Sequence, residues 1–141
     1  MSSKKLYIPV LGIIANTNRQ ILLIQRNNPE SIYSHLKWAF PGGEIEFGEH
    51  PNETLIREIR EEVGIEIDPI EDALFIENHV FTVSSTQVIL LCYPALYKSG
   101  VLDYSKDSEI LNAKWFNIED IDYNVCLPKT KEILEKALKH I

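Results

Sequence analysis

The stretch Pro51 to Gly64, PNETLIREIREEVG, constrains the chain more than any other, because its start, stop and periodicity all specify one helix. Proline suits a first helical position, Glu53 favours the positive N-terminal end, and Gly64 offers a left-handed stop. A helix over about 51–63 follows. Leu55, Ile56, Ile59 and Val63 recur at spacings of three and four, so they share a face that should anchor the helix on a sheet. The other face is acidic. Glu58, Glu61 and Glu62 stand at i, i+3 and i+4, where like charges destabilise a helix by a few tenths of a kcal/mol per pair. Spacing lets Arg57 reach Glu53 and Glu61 at i±4, which leaves Glu58 and Glu62 short of partners. Hard divalent cations take such oxygens.

A run such as Arg57–Glu62 is, by itself, most simply the solvated face of an amphipathic helix. Its flanks change the reading. Trp38-Ala39-Phe40-Pro41-Gly42-Gly43 is an apolar stub ending in a proline and two glycines, a backbone that can approach a ligand closely. Glu49 follows. A glycine turn, a lone carboxylate and a carboxylate-studded helix thus come in succession, as a metal and diphosphate site needs.

The spacing of Gly43, Glu49, Arg57, Glu58, Ile59, Glu61, Glu62, Gly64 and Ile65 resembles the box of the Nudix hydrolases, G-x5-E-x7-R-E-U-x-E-E-x-G-U with U a bulky aliphatic, and every fixed position is filled. The resemblance implies an α/β fold, an α/β/α sandwich around a central mixed β-sheet, and a pyrophosphohydrolase activity. It implies that the Gly43 carbonyl with Glu58 and Glu62 holds a divalent ion, magnesium first and manganese as the alternative, with Glu61 adding a ligand or supporting a second ion. It places Glu58, Glu61 and Arg57 in the catalytic set, Arg57 chiefly by holding Glu49 against the helix. Glu58 is the first choice of general base, with Asp107 and Glu109 from a later loop as alternatives.

Recognition of the rest of a substrate falls to residues that can stack on a base or sugar. Trp38, Phe40 and Phe81 are the leading candidates, followed by Tyr33, His35 and His79; core packing is the competing account of each aromatic. Family markers for ADP-ribose (a proline) and for dinucleoside polyphosphates (a tyrosine) fall near His79–Thr82 and are absent from those positions. The expected substrate is a nucleoside triphosphate or an oxidised nucleotide. Alternatives are a nucleotide sugar of ADP-ribose or GDP-mannose type, a non-catalytic ligand sensor, and an isoprenoid diphosphate isomerase, which would need a reactive cysteine.

Composition supplies bounds. With 141 residues, 45% of them hydrophobic, residues 1–141 are expected to form a single domain with one core. Met1–Lys5 lacks an apolar signal region, and no apolar run approaches the ~18 residues of a membrane span, so a cytoplasmic location with no membrane partner is expected. A net charge of -7 without a basic stripe argues against a nucleic-acid polymer as partner, and a homodimer is left open. Cys92 and Cys126 have no metal spacing and read as plain thiols.

Along the chain, 6–15 and 20–26 read as strands joined in a hairpin, 27–37 as a loop, and 66–72 as a connector. Residues 73–83 and 86–98 read as long paired strands, 101–108 as a loop, 113–116 as a short strand, 118–121 as a helical turn and 129–139 as a terminal helix with Ile133, Leu134, Ala137 and Leu138 inward.

Overall fold

A computed structural model describes residues 3–141; the first two residues of the Met1–Lys5 segment lie outside the described residues. Among the described residues nine strands form one mixed sheet: β1 (Lys5–Tyr7), β2 (Pro9–Ala15), β3 (Ile21–Arg26), β4 (Trp38–Ala39), β5 (Gly42–Glu44), β6 (Glu66–Pro69), β7 (Phe75–Phe81), β8 (Thr86–Ser99) and β9 (Ile110–Phe116). Helix α1 (Pro51–Val63) and helix α2 (Thr130–Ala137) accompany the sheet, with short 3-10 turns at Glu71–Ala73, Ile118–Asp120 and Tyr123–Val125.

Alternation along the central strands explains the layering, since successive residues of a strand face opposite sides. Val10, Ile14, Leu22 and Ile24 point to one side and meet Leu55, Ile59 and Val63 of α1. Ile13, Ile21 and Leu23 point to the other and meet Ile133, Leu134 and Ala137 of α2. The sheet is therefore sandwiched between α1 and α2, as expected. Ile56 and Leu138, also assigned to inner faces, are only partly buried at the margins of these cores.

Three expectations need correction. The segment 6–15 is broken before Pro9 into β1 and β2, both of which lie parallel to β8. The β2–β3 hairpin is reduced to the pair Ala15↔Ile21, because β2 bonds β8 and β5 instead while β3 bonds β9 along its length. The connector 66–72 contains β6, which adds antiparallel to β8. A sequence shows which residues favour strands and is silent about which distant strand each will meet.

Candidate active site

The site is built where β5 runs into α1. Helix α1 spans Pro51–Val63, as the sequence indicates, and Gly64 ends it at φ +73°. The backbone N–H of His50 donates to Glu53 Oε1 at 2.9 Å, so Glu53 closes the helix N-terminus. That occupation corrects the expected Arg57–Glu53 pair. Arg57 turns instead to the loop before the helix. Its Nε donates to Glu49 Oε2 at 2.7 Å and its Nη2 to Glu49 Oε1 at 3.0 Å, a two-pronged bond of the strong charge-assisted kind. The same guanidinium donates to the Glu44 carbonyl (3.2 Å), to Glu58 Oε1 (3.0 Å) and to Glu61 Oε2 (3.3 Å). One arginine thus fastens β5, the loop and the helix together.

Glu49 also accepts from the Glu46 N–H (2.9 Å) and the Thr54 hydroxyl (3.0 Å). The Arg57 guanidinium, with these bonds behind it, lowers the Glu49 carboxyl to about 2. A depressed carboxylate stabilises the fold above its unfolded value and loses that contribution as pH falls through the folded one. We expect the melting temperature to fall between about pH 4.5 and about pH 2, and Glu49→Gln to flatten that part of the profile in thermal melts. An unchanged acid slope in the variant would remove Glu49 from this role.

The carboxylates of α1 separate into different environments. Glu61 is largely exposed, its side chain at 60% accessibility, and lies outside the cavity described below. Glu58 is half-buried against Arg57, and burial raises its pKa above the usual carboxylate value. Glu62, which helical spacing leaves short of a partner, is 6% exposed and accepts from the Gly42 N–H at 3.1 Å. Burial first, then the charge of Glu58, pushes Glu62 up to about 8. Gly43 lies directly against Glu58, since a Cβ there would sit 2.2 Å from the Glu58 carboxyl carbon. The missing Cβ at Gly43 is what allows β5 to lie this close to Glu58, and the missing Cβ at Gly42 lets β5 lie against the β2 backbone.

These groups border a cavity of about 400 Å³. Its polar lining includes Arg26, Glu44, Glu58, Glu62, Asp107 and Glu109, and its apolar lining includes Leu11, Phe40, Phe81, Leu90 and Ile133. Phe40 and Phe81 therefore reach the cavity, and His79 joins them, edge-on to Phe81 with centroids 4.5 Å apart. Trp38 does not. Its ring packs edge-on against Phe116 at 5.0 Å beneath Lys114, so the side chain is spent on the α2-side core. Tyr33 packs against Phe81 with centroids 4.9 Å apart and the rings tilted by 43°, and His35 Nδ1 accepts from the Asn28 N–H at 3.0 Å to shape the loop. Both alternative bases, Asp107 and Glu109, line the cavity, and the charge of Asp107 contributes to raising Glu62.

Among the described residues no three His, Cys, Asp or Glu side chains converge as a ready metal cluster. The donor set nevertheless suits a hard cation. Glu58 and Glu62 lie on one cavity wall beside Gly43, each with a carboxylate whose ionised form is disfavoured by burial, and a divalent ion would supply the missing countercharge.

The family of the chain can be tested directly. A model of the NUDIX domain matches residues 6–139. The chain belongs to the Nudix family. Over 62 residues it is 47% identical to an 8-oxo-dGTP diphosphatase of Escherichia coli (strain K12), covering 44% of this chain and 46% of that protein. Over 113 residues it is 32% identical to Nudix hydrolase 6 of Arabidopsis thaliana, covering 77% of this chain and 38% of the relative. The chain spans about half or less of the length of these curated relatives. Its fold is that of a MutT NUDIX hydrolase from Burkholderia pseudomallei (TM-score 0.78, 22% identity, 94% of this chain and 98% of that one). A NUDIX hydrolase from Nitrosomonas europaea superposes equally well (TM-score 0.80, 23% identity, 96% and 90%).

Sequence reasoning missed Arg26 in this Nudix site. It ends β3, it is the one arginine or lysine among the described cavity-lining residues, and its Nε is buried without a hydrogen-bond partner. A cation closing a strand that opens with four aliphatics was the available signal. Cys92, by contrast, is fully buried in the α2-side core with its thiol pushed up to about 12 by that burial, which leaves no thiolate for chemistry.

Proposed function

We propose that this Nudix chain is a divalent-metal-dependent pyrophosphohydrolase whose substrate is a nucleoside triphosphate or an oxidised nucleotide. The observation that carries the reading is the placement of Glu58 and Glu62 beside the Gly42–Gly43 backbone on the wall of a cavity otherwise lined largely by apolar and aromatic groups. A diphosphate needs charge neutralisation at one part of a site and a nucleoside needs apolar faces at another. The cavity volume of about 400 Å³ falls in the range of small-ligand pockets. Similarity to the E. coli 8-oxo-dGTP diphosphatase supports the same substrate class.

Gly43, Glu58 and Glu62 would hold magnesium, with manganese as the alternative and Glu61 available as a further ligand if Arg57 releases it. Such an ion neutralises phosphate oxygens and makes a water more acidic. Glu58, which lines the cavity, would accept the proton of the attacking water, with Asp107 and Glu109 of the same lining as alternative bases. Arg57 acts through position, keeping Glu49 and the β5 backbone fixed against Glu58. Arg26, whose Nε has no hydrogen-bond partner, would donate to phosphate oxygens. Phe81, with Phe40 and His79, offers faces and edges to a base. Among the described residues no helix is long and apolar enough to cross a membrane, and a cytoplasmic location accords with the proposed substrates.

The test is product analysis by chromatography after incubation with magnesium and a panel of nucleoside triphosphates, oxidised nucleotides, nucleotide sugars and dinucleoside polyphosphates. The expected result is monophosphate plus pyrophosphate from a triphosphate, with turnover lost on chelation by EDTA. Monophosphate plus a sugar phosphate would assign nucleotide sugars instead. Binding without turnover across the panel would overturn the hydrolase reading in favour of a sensor.

A further inference from the structure

The sheet face beyond α1 carries an apolar surface that the proposed chemistry does not use. Register fixes three rows across β7, β8 and the β1–β2 edge, and side chains in one row share a face. Val80 pairs with Gln87, which pairs with Leu6. Asn78 pairs with Ile89, the residue that follows Val88 of the Tyr7↔Val88 pair, so Ile89 lies level with Ile8. Ile76 pairs with Leu91, which pairs with Val10. Val10 and Leu91 belong to the α1-side core, whereas Leu11, His79, Phe81, Val88 and Leu90, at the alternate positions, line the cavity. The rows therefore continue the α1 side of the sheet past the end of the helix.

No position in these rows is charged. The two polar ones, Asn78 and Gln87, answer each other: Gln87 Nε2 donates to Asn78 Oδ1 at 2.8 Å. Around this amide pair Leu6, Ile8, Ile76 and Val80 are 56%, 45%, 62% and 49% exposed. Their free apolar surface is on the order of 400 Å², in the range of the largest patches on monomers, which are often functional. It is also close to the ~450 Å² apolar share of the ~800 Å² that each partner of a standard interface covers.

We propose that this face is the interface between two copies of this chain, related by a two-fold axis. An uncharged face gives no electrostatic means of selecting a different protein, and it imposes no local repulsion between two chains that each carry a net charge of -7. A two-fold contact requires only that the patch complement itself, which a set of aliphatics around one amide pair does. The amide pair leaves over Asn78 Nδ2, a donor, and Gln87 Oε1, an acceptor, which are the groups needed to bond the same pair on the second copy. The cavities lie on the opposite face of each sheet and stay open.

Sedimentation velocity over about 1 to 100 µM, a range that resolves a micromolar Kd, tests the assignment. The wild-type chain is expected to pass from monomer to dimer. Ile76→Lys and Val80→Lys, whose side chains are outside the cavity, should each weaken association about tenfold or more. Val101→Lys, at a position 86% exposed on a distant loop, is expected to leave it unchanged. Thermal melting checks folding. Should the lysine variants not fold, Val80→Thr, which keeps the branched shape, should still weaken the dimer. A wild-type monomer throughout the range, a dimer indifferent to the face substitutions, or one weakened equally by Val101→Lys would each overturn the proposal.

Discussion

Glu58→Gln is expected to lower turnover about a thousandfold, the scale of losing one charged group that acts on a transferring phosphoryl centre. The substitution keeps volume and shape, and the amide oxygen can still accept from Arg57 Nη1, which now bonds Glu58 Oε1 at 3.0 Å. What it removes is a negative charge that burial already disfavours and that Glu61 and Glu46 oppose. Stability of the metal-free protein should therefore hold or rise slightly, the pattern of a site whose charges serve activity at a cost to folding. Steady-state kinetics beside a thermal melt reads both quantities. Near-normal turnover in a folded variant would remove Glu58 from the catalytic set.

Gly42→Ala should have the largest effect on stability, with a loss of about 3 kcal/mol and a fall in melting temperature on the order of 10 °C. A Cβ at Gly42 would lie 1.9 Å from the Val10 carbonyl oxygen and 2.9 Å from Leu11 Cα. Both are backbone atoms of β2, so no rotamer change relieves the clash. β5 would have to lift away from β2, giving up the pairs Leu11↔Gly42 and Val10↔Gly43 and the bond from the Gly42 N–H to Glu62. Its neighbour makes the contrast. At Gly43 the obstruction is the carboxylate of Glu58, the end of a flexible side chain, so Gly43→Ala should displace Glu58 and reduce turnover while changing the melting temperature much less. Equal melting temperatures for Gly42→Ala and the wild type would contradict the close β2–β5 approach.

Local signals in the sequence were read well because their physics is local. Pro51 and Gly64 delimit α1 as expected, and Leu55, Ile59 and Val63 are buried on its inner face. The box positions Gly43, Glu58 and Glu62 do come together at one cavity wall. Arg57 shows where locality ends: i±4 spacing pointed to Glu53, but the loop before the helix folds back and delivers Glu49 instead. Glu62 shows the same for its partner, because helical spacing offers it none, whereas β5 supplies the Gly42 N–H and buries it. Trp38 was misread because an aromatic beside a glycine turn suits a binding wall and a core equally, and only the position of Phe116 on β9 decides between them. Arg26 was overlooked because its meaning depends on which carboxylates lie across the cavity, which no spacing along β3 reveals.

The strand β8 has a consequence for how the molecule comes into being. It spans Thr86–Ser99 and bonds β1, β2, β6 and β7, so the earliest strands of the chain close on one of the last: Val10 pairs with Leu91 and Ala15 with Leu96. Pairings this far apart in sequence are slow, because the intervening loop must be closed before any contact rewards it. During synthesis α1 leaves the ribosome before the strand that completes the surface beneath it, since Tyr93 and Ala95 of β8 belong to the core on which α1 packs. Until then its apolar stripe of Leu55, Ile59 and Val63 lacks part of its bed, and the nascent chain passes through a stage with sticky surface exposed. The carboxylates on its other side can be set against a finished cavity only once β8 has been made.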